Sequence, residues 1–240
     1  MIPKIIHQTT SRETLTWEEE RLAARLRRLL PDWTYKLWRD PEKSAVMRAQ
    51  FPHYADLYER LPLGVMRADV ARYAFLYAQG GVYLDTDYKL RRPFGPDFLA
   101  ATCVIPLEHD AGDIRMDTGL PGGPGLGNAV LATAPHYPFW RDFIDSIFES
   151  PPARDGDPEA GVLASTGPDA MTRFFLANRD RYPEIQTPAR NLFHPHLSLF
   201  AMRSSADAAT YGVHLCWGSW RGRPPLTALR KLVRRKLNAI

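Results

Sequence analysis

The sequence predicts an α/β fold, a mostly parallel central sheet flanked by helices and followed by a basic amphipathic C-terminal helix, and three observations carry that expectation. Strand-like and helix-like patterns alternate through the first 90 residues, the order that builds a parallel sheet. The composition, 45% apolar and 24% charged over 240 residues, is ordinary for a globular chain able to bury one large core. Proline, at 21 residues, exceeds its usual share of ~5%, which points to long, shaped loops around that frame.

Residues 2–6, IPKII, read as a short buried strand with HQTT as the loop at its C-terminal end. Thr16 and Glu19 then fit a capping box, Leu22, Leu26 and Leu29 form the apolar stripe of a helix, and Pro31 stops it. YKLW at 35–38 is a second strand, and Asp40-Pro41 opens a short helix. Residues 65–79, VMRADVARYAFLYAQ, are helical in composition and end at Gly80-Gly81, a C-terminal cap; VYLDTDY follows as a strand. Further on, ATCVIPLEH reads as a strand, DTGLPGGPGLGNAV as a glycine-rich loop, PFWRDFIDSIFES as an amphipathic helix and PPARDGDPEAG as a polar insert. Another helix starts after a tight Thr166-Gly167-Pro168 turn, and YGVHLCWGSW gives a late strand and loop.

The net charge of +4 is local: residues 221–240 hold seven Lys and Arg and no acid, so without them acids are in slight excess. Cys103 and Cys216 both sit in apolar sequence and are expected as buried thiols of a reducing compartment, with no disulfide framework or zinc cluster. MIPKIIHQTT lacks the apolar stretch of a signal peptide, and no run of about 18 apolar residues is present to span a membrane. A cytoplasmic protein is expected.

Asp85-Thr86-Asp87 is the chemical centre of the chain. The spacing alone says little, since Asp155-Gly156-Asp157 repeats it in a Pro/Gly-rich stretch with no strand before it and reads as a solvated turn. After VYL, however, residues i and i+2 of a strand share a face, so both carboxylates are expected to converge just past the strand end. Two anions that close repel unless a cation or a proton lies between them. Magnesium or manganese prefers such oxygen ligands and also bridges to phosphates, and ligands of such sheets bind at the C-terminal strand ends. If the preceding helix packs antiparallel to the strand through Gly80-Gly81, Asp69 lies ~16 Å back along it at 1.5 Å per residue. That is level with Asp85 and Asp87, roughly 13 and 20 Å along the strand at 3.3 Å per residue. Arg72 shares that helix face. The plainer reading of Asp69 and Arg72 is an ion pair at the helix edge.

The run RADVARYAFLYAQGGVYLDTD resembles the core of the glycosyltransferase family 32 sugar-binding region: an Asp and an Arg three apart on a helix, Gly-Gly, a strand and the DxD. IPKIIHQT, PDWTYKLW and HLCWGSW extend the likeness over most of the chain. The resemblance implies a GT-A fold over residues 1–222, a nucleotide-diphosphate sugar donor, a manganese or magnesium ion and retention of anomeric configuration. By it, Asp85 and Asp87 handle the metal, with Asp85 also near the donor ribose or sugar, and Asp69 and Arg72 hold the donor sugar's hydroxyls. By the same resemblance, His214 would stand near the metal and Trp217, Ser219 and Trp220 would lie on the diphosphate. A bound cation stabilises the charge that grows on a nucleoside diphosphate leaving group. No residue stands out as a nucleophile, so attack by the acceptor on the donor's own face is expected.

His7 and Gln8 end the first strand, where the nucleotide base lies in this fold, and are expected to contact it; a polar strand end is the plainer reading. Asn128 is a donor or acceptor contact or simply a helix N-terminal residue. His194-Pro195-His196 has ligand-like spacing, but the proline and the lack of a nearby acid read as a structural loop, as do His53, His109 and His136. The GxG pattern within residues 119–127 lacks the strand-turn-helix setting of a dinucleotide site. Trp33 and Trp38 read as core. In residues 223–240, Leu226, Leu229, Val233, Leu237 and Ile240 lie along one helical side and Arg230, Lys231, Arg234 and Arg235 mostly elsewhere, the pattern of a helix on an anionic membrane. Packing on its own domain and nucleic-acid binding are the alternatives, and no nucleic acid is expected.

The expected protein is thus a metal-dependent retaining transferase at the cytoplasmic face of the inner membrane, acting on a glycolipid or a growing polysaccharide. A haloacid-dehalogenase-like phosphatase also opens with an apolar strand and Asp-x-Asp. It requires a later Lys and an acidic pair that do not stand out here, and it leaves Asp69 and Arg72 unexplained. A non-enzymatic membrane-binding protein on a transferase frame predicts a damaged DxD, and this one is intact.

Overall fold

The computed structural model describes residues 1–110, 124–150, 158–195, 197–198 and 203–218. Along the chain come β1 (Ile5–Thr9), α1 (Trp17–Leu29), β2 (Thr34–Trp38), α2 (Asp40–Gln50), α3 (Ala55–Glu59), α4 (Gly64–Gln79), β3 (Gly81–Leu84) and β4 (Tyr88–Leu90). There follow α5 (Pro96–Ala100), β5 (Cys103–Val104), β6 (Leu107–His109), β7 (Gly125–Leu126), β8 (Val130–Thr133), α6 (Pro138–Glu149), α7 (Pro158–Ser165) and α8 (Pro168–Asn178). The last elements are β9 (Ile185–Gln186), α9 (Arg190–Phe193), β10 (Leu197–Ser198), β11 (Arg203–Ser204) and β12 (Gly212–His214).

The central sheet runs β2-β1-β3-β8-β5-β9. β1 is parallel to β2 and β3, and β5 to β9, while β8 is antiparallel to both its neighbours. Side chains alternate across it, as the strand period of two requires. Tyr83 and Leu131 face a layer built from α2, α4, α6 and α8, whereas Val82, Leu84, Val130 and Ala132 face the layer that holds Leu26 of α1 and Phe98 of α5. Each aliphatic side chain so buried contributes ~1.5–3 kcal/mol. α4 has no solvent face along most of its length, which explains its largely apolar composition and makes the burial of Asp69 and Arg72 within it costly unless they are paired.

Two glycines fix how α4 meets β3. Gly80 caps the helix at φ 62° and Gly81 starts the strand at φ 96°, both in the region that disfavours side chains. Space is lacking as well: a Cβ on Gly80 would stand 2.7 Å from the Pro135 nitrogen, and one on Gly81 2.6 Å from the Ile5 carbonyl. The reversal is therefore sharp enough to lay α4 back along β3.

Several sequence expectations hold and several are corrected. The Thr16–Glu19 capping box is present, and α2, α4, α6 and α8 lie where the patterns put them. The first strand is not IPKII, since pairing with β2 runs from Ile5 to Thr9 and takes in HQT. VYLDTDY is two strands with a turn at the aspartates, and ATCVIPLEH is broken at Ile105-Pro106 into β5 and β6. β8, beside β3 in the middle of the sheet, was hidden by the glycine-rich stretch before it. Cys103 is buried as expected, but Cys216 is exposed, with a positive φ of 49°. Asp155-Gly156-Asp157, His196 and the basic segment 223–240 lie outside the described residues.

Candidate active site

At the end of β3 the chain turns rather than continuing: the Tyr88 N–H donates to the Asp85 carbonyl at 3.0 Å, and β4 resumes beyond. The aspartates converge because of what surrounds each, not because a strand carries them. β4 pairs with β12 so that Tyr88 lies opposite His214, and the loop after β12 brings the Trp217 N–H to Asp87 Oδ2 at 2.6 Å. That loop is anchored by Val213, Leu215 and Trp217, which pack on Leu22 of α1. Gln8 donates to the Asp85 carbonyl at 3.1 Å, and Thr86 donates to Glu19 at 3.0 Å, so the capping carboxylate of α1 also secures the middle of the turn.

On the other side of the turn, Arg72 reaches two acids at once. Its guanidinium lies 2.9 Å from Asp69 Oδ1 and 3.3 Å from Asp85 Oδ1, donates to the Asn128 carbonyl at 2.7 Å and stacks 4.5 Å from the Tyr83 ring centroid. The Tyr83 hydroxyl donates to Asp85 Oδ1 at 2.5 Å. Asp69 also accepts from the Asn128 amide at 3.1 Å and the Thr166 hydroxyl at 3.0 Å. The reach of Asp69 to the level of the DxD, expected from helix and strand rises, is thus met through Arg72.

Burial pushes Asp69 up to about 7, outweighing the neighbouring Arg72. Asp85 is likewise raised, by burial more than Arg72 lowers it. Asp87 is lowered: burial would raise it, but His214 and the Trp217 N–H outweigh that. His214 is raised well above its ordinary value, since Cys216 and Asp87 overcome its burial. Its Nε2 lies 3.2 Å from Asp87 Oδ1 and 3.7 Å from Asp85 Oδ2. One ligand atom each from Asp85, Asp87 and His214 falls within 4.8 Å of the others. An oxygen-rich set of two carboxylates and one imidazole, with Arg72 already committed to Asp85, fits a divalent cation.

His7 and Gln8 are both buried and engaged. His7 donates from Nε2 to the Gly80 carbonyl at 2.8 Å, accepts at Nδ1 from Trp38 at 3.0 Å and stacks on Phe75 and Trp38. Gln8 accepts from the Tyr35 hydroxyl at 2.7 Å besides holding Asp85. Neither ring nitrogen of His7 is left for a base. Asn128 stands in the Asp69–Arg72 network and Trp217 beside Asp87, whereas Ser219 and Trp220 lie outside the described residues. His194 is buried close to Glu108 and His214, so the acid missing from its own stretch of sequence comes from β6.

Tyr83, Tyr73, Thr166, Glu108 and Glu19 went unread as site residues. Tyr83 sits two residues before Asp85 on one strand and Tyr73 four after Asp69 on one helix, spacings that place each pair on a common face. Thr166 and Glu108 had no such local signal. An open apolar groove lined by Leu107, Leu126, Phe175, Leu176, Tyr182 and Ile185 contains none of the DxD residues and is a separate surface.

The family model described as the glycosyltransferase sugar-binding region containing the DXD motif matches residues 17–105. An uncharacterized glycosyltransferase of Acanthamoeba polyphaga mimivirus is 32% identical over 229 residues, covering 92% of this chain and 84% of that one. A mannosyl phosphorylinositol ceramide synthase of Saccharomyces cerevisiae is 32% identical over 149 residues, 61% of this chain and 35% of that one. Inositol phosphoceramide mannosyltransferase 2 of Schizosaccharomyces pombe is 28% identical over 205 residues, 85% of this chain and 53% of that one. The chain thus spans only about a third to a half of the fungal relatives it matches. Among solved structures, the ligand-free glycosyltransferase domain of the YGT toxin superposes with a TM-score of 0.58 at 10% identity, covering 97% of this chain and 86% of that one. The PaToxG glycosyltransferase superposes with a TM-score of 0.54 at 17% identity, covering 76% and 70%. At such identities the likeness is one of fold.

Proposed function

Because the chain belongs to the family of glycosyltransferases whose sugar-binding region contains the DXD motif, we propose that it moves a sugar from a nucleotide-diphosphate donor onto a glycolipid or polysaccharide, with a divalent cation and with retention of configuration. The observation that carries this reading is a single buried guanidinium, Arg72, tying Asp69 to Asp85 while Asp87 and His214 close the opposite side. Asp85, Asp87 and His214 would hold the cation, manganese or magnesium, which when bound supplies Lewis-acid stabilisation of the diphosphate.

The chain's own residues do the rest. Asp69 already accepts three hydrogen bonds of the roughly four a carboxylate can take, which leaves about one for a donor-sugar hydroxyl. Arg72, fixed by two acids, a carbonyl and a ring, needs no reorganisation to meet negative charge in a site where burial strengthens electrostatics. Asp69 and Asp85, ion-paired to it, are poor nucleophiles, which favours attack by the acceptor on the donor's own face. The fungal relatives' names speak of inositol phosphoceramide, so of the two acceptor classes the glycolipid gains support. No observation here favours the phosphatase or the non-enzymatic reading.

Thermal melting with uridine or guanosine diphosphate, each with manganese or with chelator, tests the donor site without an acceptor. A ligand at 100 times its dissociation constant adds about 2.7 kcal/mol of stability. The expected result is a manganese-dependent shift with one nucleotide, lost in Asp87→Ala; no shift with either nucleotide sinks the reading. Membrane apposition is a further part of the proposal. Among the described residues no helix is long and apolar enough to cross a membrane, and the basic segment 223–240 is the part proposed to lie on an anionic surface. The full chain is expected to float with phosphatidylserine vesicles and not with phosphatidylcholine ones, and to lose that difference when residues 223–240 are removed.

A further inference from the structure

His214 turns only its Nε2 edge toward the aspartates. On its other edge, Nδ1 lies 3.4 Å from Cys216 Sγ and 4.0 Å from Glu108 Oε1, and one ligand atom each from Glu108, His214 and Cys216 falls within 4.8 Å of the others. In tetrahedral zinc, bonds of ~2.3 Å to sulfur and ~2.0–2.1 Å to nitrogen or oxygen place the sulfur about 3.5 Å from the nitrogen and the oxygen about 3.4 Å from it. The sulfur–nitrogen edge is therefore already formed, and Glu108 has to close by only about 0.6 Å.

A second observation points the same way. His194 is 5% exposed, and neither of its ring nitrogens has a hydrogen-bond partner among the described residues. Its ring lies 6.1 Å from that of His214. Gly127 leaves the hollow in which it meets Glu108: a Cβ there would stand 2.8 Å from His194 Nε2 and 3.0 Å from Glu108 Cβ. Buried polar groups in native proteins are generally satisfied, and an orphaned histidine beside a Glu, His and Cys set calls for a ligand.

We propose that Glu108, His214 and Cys216, with the unpartnered His194 beside them, form a thiolate-containing site for zinc, and that filling it disables the DxD site. The second half rests on the reading of His214 as a ligand of the DxD cation. A neutral imidazole has one lone pair. While Nδ1 carries the proton, Nε2 presents its lone pair to the Asp85–Asp87 side. Zinc on Nδ1 takes that lone pair and expels any proton held there to solvent together with the Cys216 thiol proton, so the ring's remaining proton sits on Nε2, which donates toward the aspartates instead of coordinating. The donor set, with a sulfur, suits zinc, whereas the oxygen-rich side suits magnesium or manganese. The two cations therefore compete through one ring.

Titration of the full chain with cobalt(II), a spectroscopic stand-in for zinc, reads the site directly. Expected are a thiolate-to-cobalt charge-transfer band in the near ultraviolet and the visible bands of four-coordinate cobalt, saturating at one equivalent, bleached by zinc, retained in Asp85→Asn and absent from Cys216→Ser. Cys103, the other of two cysteines, is buried in the sheet and does not supply the band. The absence of a thiolate band at saturating cobalt, or its survival in a Cys216→Ser variant that melts like the wild type, overturns the site. Manganese with the nucleotide that shifts the melting should diminish the band, and a band that stays unchanged overturns the mutual exclusion. A cobalt band in a protein that no nucleotide stabilises would leave the zinc site standing and defeat the donor-site reading; a nucleotide shift without the band does the reverse.

Discussion

Arg72 carries the charge balance of the site, because it is the cation shared by Asp69 and Asp85 in a buried helix. A lysine keeps the charge but loses the planar fork that serves two carboxylates and a carbonyl together. Arg72→Lys is expected to lower kcat/KM for sugar transfer about 100-fold, as loss of one preorganised donor does elsewhere; unchanged kinetics in a folded variant would remove Arg72 from the site. The residues that sequence made legible are those whose relations are local. Asp69 with Arg72, the helix's distance from Gly80-Gly81 and the DxD spacing all follow from rises per residue. Thr166 and Glu108 come to the site from distant elements, and no periodicity announces them. His7 and Gln8, expected to end the first strand, lie within it, since β1 runs on to Thr9, and their partners, Gly80, Trp38, Tyr35 and Asp85, are supplied by other elements.

At the level of elements, the junction from α4 to β3 decides whether Asp69 and Asp85 meet. Gly81→Ala introduces a Cβ at positive φ that would stand 2.6 Å from the Ile5 carbonyl and 3.0 Å from His7 Nε2. Urea unfolding should show a loss of ~2–4 kcal/mol, the range for strain combined with overpacking; a loss below ~0.5 kcal/mol would mean the junction is more pliant than its geometry indicates. Helices with caps or stripes, α1, α2, α4 and α6, were readable. Short strands were not: β8 and β9 span 4 and 2 residues, too few for an alternation to show against glycine and proline neighbours. The turn at the aspartates escaped for a related reason, since an apolar strand followed by Asp-x-Asp-Tyr keeps its period of two straight through a reversal.

For the molecule as a whole, His7 links stability to pH. It sits where β1, β2, α4 and β3 meet, and burial lowers it to about 4 against ~6.5 in an unfolded chain. Between those values the unfolded chain takes up a proton that the native one refuses. Its contribution is complete above pH ~6.5, is lost as pH falls toward 4 and amounts to roughly 3 kcal/mol over that window. His7→Gln is expected to flatten this part of the stability profile, measured by urea unfolding at pH 7 and 4.5, and an equal slope in both proteins would assign the acid sensitivity to other groups.

The pairing of β12 with β4 also has a temporal side. Trp217, whose N–H holds Asp87, follows it by 130 residues. At about 5–20 residues per second, a ribosome needs roughly 7–26 s to travel from one to the other. Throughout that interval the nascent chain carries Asp85 and Asp87 without the imidazole and the backbone donor that answer their charge. Under the proposed function, donor and metal would therefore be taken up only after the chain has been extended past its late strand, and topology alone would spare an unfinished polypeptide from sequestering them.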